Sequence, residues 1–276
     1  MGIYQEKLEL GKHLANIAIN GALKVGPYVN KVFEEKTKAE VKKGYFDLVT
    51  EADRNTEAML VDYLVQSYPD SSVLGEENGA QGTGTVTWVI DPIDGTNNFV
   101  SGIPFFCISI GVLYQDQGIA GAIYDPVRKE MFLASPEGAF LNGQPIQAPG
   151  HSTDDHALIF TGFPYEGGIS DQVDFEFYQK IIQSFHAVRR MGSTALELAY
   201  IASGRADVTF QLNANPWDIV AGMVLISQAG GQYIAPKNDN FSDFPWKSPK
   251  FIGAGANFVW GESVLKDLFT YRLKER

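Results

Sequence analysis

Apolar positions over residues 6 to 33 fall at Leu10, Leu14, Ile17, Leu23, Val25, Val29, Val32 and Phe33. Their spacing is mostly three or four, which predicts an amphipathic helix, with Gly26 and Pro27 as the place for a kink. The polar, lysine-rich stretch 37 to 44 (TKAEVKKG) breaks this rhythm and predicts a loop or loose hairpin. A second helix follows from about Asp53 to Ser67. Short β-branched runs then recur at Ser72–Leu74, Val86–Ile90, Cys107–Tyr114, Ile119–Tyr124 and Glu130–Ala134, separated by turns at 115 to 118 and 125 to 129. Together they predict a central antiparallel sheet.

The second half interleaves strands and helices. Strands are predicted near Leu158–Thr161, Asp207–Leu212, Gln232–Ala235 and Phe251–Ala254, and helices near Gln172–Phe185, Thr194–Ser203, Pro216–Ala229 and Gly261–Leu273. Gly230 and Gly231 suit a left-handed helix end. No internal repeat is present, and the pattern predicts layered α and β elements, not a barrel. The polar stretch 143 to 156 separates sub-lobes of about 1–142 and 157–276 within a single expected domain, 1–276.

The 276 residues are 45% hydrophobic and 20% charged, enough to bury a large core. A net charge of −11 disfavours nucleic-acid binding and anionic membranes and raises the prospect of acidic clusters that hold cations. Cys107, the single cysteine, lies in an apolar run and reads as a small hydrophobe in a reducing compartment. The N-terminus lacks a signal-peptide pattern, and the apolar runs are about half of the roughly 20 residues a membrane span needs. A cytoplasmic location is the expectation.

The densest chemistry is DPIDGTNNF, Asp91 to Phe99, at the end of an apolar strand. Pro92 biases Asp91 toward extended backbone and removes an amide, so the chain can turn sharply with the Ile93 carbonyl inward and with Asp91 and Asp94 in one pocket. Gly95 permits a tight turn. Thr96 can begin a short helix, where the Gly95 and Thr96 amides would meet a phosphate. A calcium EF-hand register fails, because Ile90 and Ser101 would then stand where carboxylates are required.

Three further stretches carry acids. In LGEENG, Glu76 follows the glycine at a strand end and is read as facing inward, with Glu77 facing solvent. In PWDIVAGMVLISQAGG, Asp218 lies in the first turn of an apolar helix, where a capping role is an equal alternative. In DLVTEAD, Asp53 is the acid assigned to the site, although Thr50 with Asp53 also suits a capping box variant. Two carboxylates about 4 Å apart repel by roughly 4 kcal/mol at an effective dielectric of 20, so four clustered acids need protonation or a cation. Oxygen-only ligands favour a hard divalent ion, and Mg²⁺ is the usual choice beside phosphate.

In this order, GEE, DPIDGTNNF and PWDIVAG resemble the inositol monophosphatase family of Mg²⁺-dependent, lithium-sensitive phosphatases. The resemblance covers nearly the whole chain. It implies an α/β (α+β) fold, a layered αβαβα sandwich of the inositol monophosphatase and fructose-1,6-bisphosphatase type, and a homodimer. It also implies that Glu76, Asp91 and the Ile93 carbonyl hold one Mg²⁺ and that Asp91, Asp94 and Asp218 hold a second, with a third ion near Glu76. Asp53, Thr96 and Glu76 would orient and deprotonate the attacking water, and Lys42 matches a lysine on a loop near the metals. Substrate contacts would come from Asp94, Gly95, Thr96, Thr194, Gln211 and Asp218.

The activity implied is hydrolysis of a small phosphorylated substrate, a phosphate monoester, by in-line attack of a metal-activated water. Inositol monophosphate is the first substrate considered. Gln211 stands where inositol-selective members place an acid, and it can hydrogen-bond hydroxyls without supplying charge. NADP(H), histidinol phosphate and fructose 1,6-bisphosphate are the alternatives, as is a non-catalytic partner-binding role on the same fold. Arg189 and Arg190, before the GST run at 192 to 194, read as surface residues. The four histidines show no zinc spacing, and neither a Walker A string nor a dinucleotide fingerprint is present.

Overall fold

A computed structural model describes residues 2–35, 51–163, 172–236 and 244–266. The loop expected at 37 to 44, with Lys42, lies outside the described residues, as does the stretch between Phe163 and Gln172. Helix α1 (Gly2–Glu34) runs through Pro27 without ending there, and α2 (Glu51–Ser67) lies against it. Leu14, Ile17, Val25 and Val29 are buried as their spacing predicts, whereas Leu23 faces outward.

The first sheet contains β1 (Ser71–Gly75), β2 (Gly79–Gly82), β3 (Val86–Asp94), β4 (Cys107–Tyr114), β5 (Gln117–Asp125), β6 (Glu130–Ser135), β7 (Gly138–Leu141) and β8 (Gln144–Pro145), with the short helix α3 (Thr96–Ser101) after β3. Its order is β2-β1-β3-β4-β5-β6-β7-β8. All neighbours are antiparallel except β1 and β3, which run parallel, a departure from the purely antiparallel expectation. The β2 hairpin interposed between these two strands returns the chain to the starting end, so that both point the same way. Glu76 and Asp91 therefore leave the sheet at the same end.

The second sheet, ordered β10-β9-β11-β13-β12, contains β9 (Leu158–Thr161), β10 (Ala187–Arg189), β11 (Val208–Gln211), β12 (Gln232–Ile234) and β13 (Phe251–Ala254). Helices α5 (Thr194–Ala202) and α6 (Pro216–Gln228) lie between the sheets, and α4 (Gln172–Ser184) covers the outer face of the second. The layers thus run α1/α2, first sheet, α5/α6, second sheet, α4. The expected αβαβα order is present. The terminal helix expected at Gly261–Leu273 starts only at Leu265 among the described residues, after a turn.

Helix α6 is apolar nearly all round because it is covered on both sides. Its close seat depends on two glycines. Gly111 and Gly121 are cross-strand partners, and a Cβ on either would come within 2.5 Å of Val220 or 2.8 Å of Ala221. This contact fixes the height at which the first turn of α6, with Asp218, meets the end of β3. Replacement of Gly121 by Val is expected to cost about 3 kcal/mol by overpacking. Thermal unfolding should show a Tm lower by several degrees, and an unchanged Tm would mean that α6 is free to lift.

Candidate active site

The end of β3 shapes the site. The Asp91 side chain turns back to accept the Ile93 amide at Oδ1 (3.0 Å), which makes the Pro92 turn rigid, and Asp91 is buried. The ladder to β4 then slips between Asp91 and Asp94, so both acids leave the sheet on its buried side. Gly95 follows in the left-handed region at φ 98°, and a Cβ there would meet the Phe105 carbonyl oxygen and Ser193 Cβ at 3.1 Å. No other residue fits both the angle and the space.

Asp94 is 6% exposed and is held from the second half of the chain. Its Oδ2 accepts Ser193 Oγ at 2.6 Å and the Ala195 amide at 2.7 Å, placing the carboxylate at the start of α5. The Cys107 thiol lies 3.7 Å from the same oxygen. Asp218, arriving on α6, accepts the Asn215 amide at 2.7 Å through Oδ2. Capping and site duties therefore coexist in one residue. One carboxylate oxygen each from Asp91, Asp94 and Asp218 lie within 4.8 Å of one another.

Glu76 joins this group through Asp91, to which its carboxyl hydrogen-bonds. Its backbone amide stays on the Ile90 carbonyl at 3.2 Å, so it extends the β1–β3 pairing by one residue. Thr96 Oγ1 lies 3.0 Å from the Ile93 carbonyl oxygen and 3.3 Å from Asp53 Oδ1, and its hydroxyl can donate to one of them at a time. Asp53 is fully buried on α2. Glu77 does not face solvent as expected: its side chain is 9% exposed and sits 3.7 Å from Arg54 Nε, because the turn folds back onto α2. Glu76, expected to face inward, is instead the exposed one of the two, because it stands in the open turn just past the end of β1.

Other expected substrate contacts are placed less simply. Thr194 begins α5 and is half-buried, next to the Ser193 that donates to Asp94. Gln211 is buried, with Nε2 donating to Glu197 Oε2 at 2.9 Å and Oε1 accepting the Gly162 amide at 3.1 Å. Arg189 and Arg190 are exposed as read from the sequence. Sequence reasoning singled out the runs that hold Ser193 and Asn98 but missed the hydrogen bonds these two make, and it missed Glu197 altogether. The Asn98 amide nitrogen donates to the Phe105 and Met191 carbonyls, both at 2.7 Å, and so ties the motif to the two halves of the chain.

Electrostatics show what the arrangement demands. Burial, and then repulsion from Asp94, push Asp218 up to about 8. Burial likewise takes Glu76 to about 7, and it raises Asp91 further, where Glu76, Asp94 and Asp218 add their repulsion. In Asp94 the rise from burial is opposed by Ser193 and the α5 amides. Without a cation these carboxyls cannot all ionise. The three-acid group is built from oxygen donors alone, without histidine or cysteine, which fits a hard divalent ion.

The profile of the inositol monophosphatase family matches residues 11–270. The chain belongs to that family. Nus factor SuhB of Escherichia coli strain K12 is 37% identical over 222 residues, covering 79% of this chain and 83% of that protein. A solved IMPase from Thermotoga maritima superposes with a TM-score of 0.78 at 30% identity, covering 94% of this chain and 98% of that one. The Staphylococcus aureus enzyme SaIMPase-II, solved with inositol monophosphate bound, gives 0.73 at 25% identity over 88% of this chain and 90% of that one. Among the described residues no helix is long and apolar enough to cross a membrane.

The raised carboxyls have a measurable consequence. Across the interval from about pH 4 to pH 8 the folded chain binds more protons than the unfolded chain, so its stability falls as pH rises. In chelator, the urea midpoint is expected to be lower at about pH 8 than at about pH 5.5. Added Mg²⁺ should reverse this difference by binding the ionised acids. A midpoint independent of Mg²⁺ at about pH 8 would contradict the assignment.

Proposed function

We propose that this protein is a Mg²⁺-dependent phosphatase of small phosphate monoesters, with inositol monophosphate as the first substrate to test. The observation that carries the reading is the convergence of buried Asp91 and Asp94 with half-buried Asp218, acids that only a cation can hold together in ionised form. Family membership and the inositol monophosphate bound to SaIMPase-II support the substrate class.

Glu76, Asp91 and the Ile93 carbonyl would hold one Mg²⁺, and Asp91, Asp94 and Asp218 a second, with a third ion near Glu76 as an extension of the same reading. Bound there, Mg²⁺ would lower the pKa of water and neutralise charge developing on the phosphoryl and leaving oxygens. The chain's own residues supply orientation and proton transfer. Thr96 Oγ1 can accept a proton from the attacking water while releasing its own to Asp53 Oδ1 at 3.3 Å. The same hydroxyl donates to the Ile93 carbonyl at 3.0 Å when it does not donate to Asp53, and the relay uses the Asp53 arrangement. The Gly95 and Thr96 amides would orient the phosphate. Lithium inhibition and a homodimer belong to the same proposal.

Gln211 weakens the case for an inositol ring, since it brings no charge and its amide is engaged by Glu197 and Gly162. NADP(H), histidinol phosphate and fructose 1,6-bisphosphate therefore belong in the substrate panel. A second reading rests on the name of the SuhB relatives, which are Nus factors: this chain would act by binding transcription machinery. The intact set of acids favours catalysis.

The Asp218→Asn variant separates these readings, because its remaining amide oxygen can still cap Asn215. Mg²⁺-dependent phosphate release is expected to fall at least about a hundredfold with the circular dichroism spectrum unchanged. Retained turnover would refute the metal assignment. Full cellular activity of the same variant would instead favour the partner-binding reading.

A further inference from the structure

On α2, Asp53 and Glu57 are four residues apart, on one helix face, and both are fully buried. Asp53 reaches Thr96 after β3. Glu57 reaches the turn after β1. Its Oε2 accepts the Glu77 amide at 2.9 Å, and its Oε1 accepts the Asn78 amide at 3.0 Å and the Asn78 side-chain Nδ2 at 2.8 Å. All three partners are donors, so both oxygens of Glu57 are engaged as acceptors.

The contact brackets Glu76. On its N-terminal side, a Cβ at Gly75 would lie 2.5 Å from Glu57 Oε2, so glycine is what lets the carboxylate press against the backbone there. Glu76 itself is anchored by its amide on the Ile90 carbonyl, and the two residues that follow are anchored on Glu57. The backbone on both sides of Glu76 is thereby immobilised by one buried side chain.

We propose that Glu57 is a positioning residue that aims the Glu76 carboxyl at Asp91, and that α2 clamps both metal-bearing turns at once, through Glu57 at the end of β1 and Asp53 at the end of β3. The inference rests on the assignment of Glu76 to the metal site. Glu57 touches neither substrate nor ion. Its loss lets the turn swing, which weakens the seat for the cation without removing a ligand.

The Glu57→Gln variant keeps volume but replaces one acceptor oxygen by an NH₂ that confronts a backbone N–H. Direct Mg²⁺ titration by calorimetry should give a dissociation constant raised about tenfold or more, the size of effect known for groups that orient ligands. The kcat at saturating Mg²⁺ should stay within about threefold of the parent. Asn78→Ala, at an exposed position, removes only the side-chain donor and should shift the same constant in the same direction by a smaller factor. A lowered Tm with unaltered Mg²⁺ affinity in both variants would reduce Glu57 to a structural role and overturn the proposal. If Glu57→Gln does not fold, Asn78→Ala decides: an unchanged constant overturns the idea. A parent protein that binds no Mg²⁺ would instead sink the metal assignment beneath it.

Discussion

Three carboxylates within 4.8 Å of one another, two of them buried and the third half-buried, are the demand to which the rest of the molecule answers. Repulsion between them would push any loosely built site apart. The fold opposes this by fixing each acid through a different element. Asp91 is locked by its own turn, Asp94 by the amides that open α5, and Asp218 by the first turn of α6. The helices that bring Asp94's partners and Asp218 are packed between two sheets, where they have little freedom to recoil. The glycine pair Gly111 and Gly121 in β4 and β5 sets the depth of α6 and hence the distance at which the acids face each other.

The raised carboxyl pKa values are the electrostatic expression of that construction. They express how strongly a cage of acids favours protons, and the same excess of negative potential is what a divalent ion would satisfy. Opposing contributions are distributed unevenly: Asp94 receives backbone amides and a hydroxyl, whereas Asp91 receives repulsion from three sides. A cage made wholly of acids with equal support would bind without preference for orientation. Here the better-supported acid faces α5 and the less-supported one faces Glu76.

Much of this architecture was legible in the order of residues. Cys107–Tyr114, Leu158–Thr161 and Phe251–Ala254 form strands with the predicted ends, since each is an apolar β-branched run between turn residues. Gly79–Gly82 was not legible: GAQG has no alternation, and it pairs only because the preceding turn folds it onto β1. Nor was Ala187–Arg189, three residues whose strand character comes from its neighbour β9. In the site, DPIDGTNNF could be read because its turn chemistry is local. The hydrogen bonds of Ser193, Glu197 and Glu57 escaped notice because their partners lie 99, 14 and 20 residues away. For Glu57 a signal existed, its position one helical turn after Asp53.

The double donation by Asn98 has a mechanical meaning. Both hydrogens of one amide nitrogen are committed, one to the carbonyl leading into β4 and one to the carbonyl leading into α5. Shear between the two sheets would load these bonds before it reached the acids, so this side chain acts as a rivet through the seam. An aspartate of identical shape has nothing to donate, and the seam would lose both fastenings in one substitution. Strain arising on either face of the sandwich is thus delivered to the nine-residue motif itself, which makes the strand end that carries Asp91 and Asp94 also the joint of the frame.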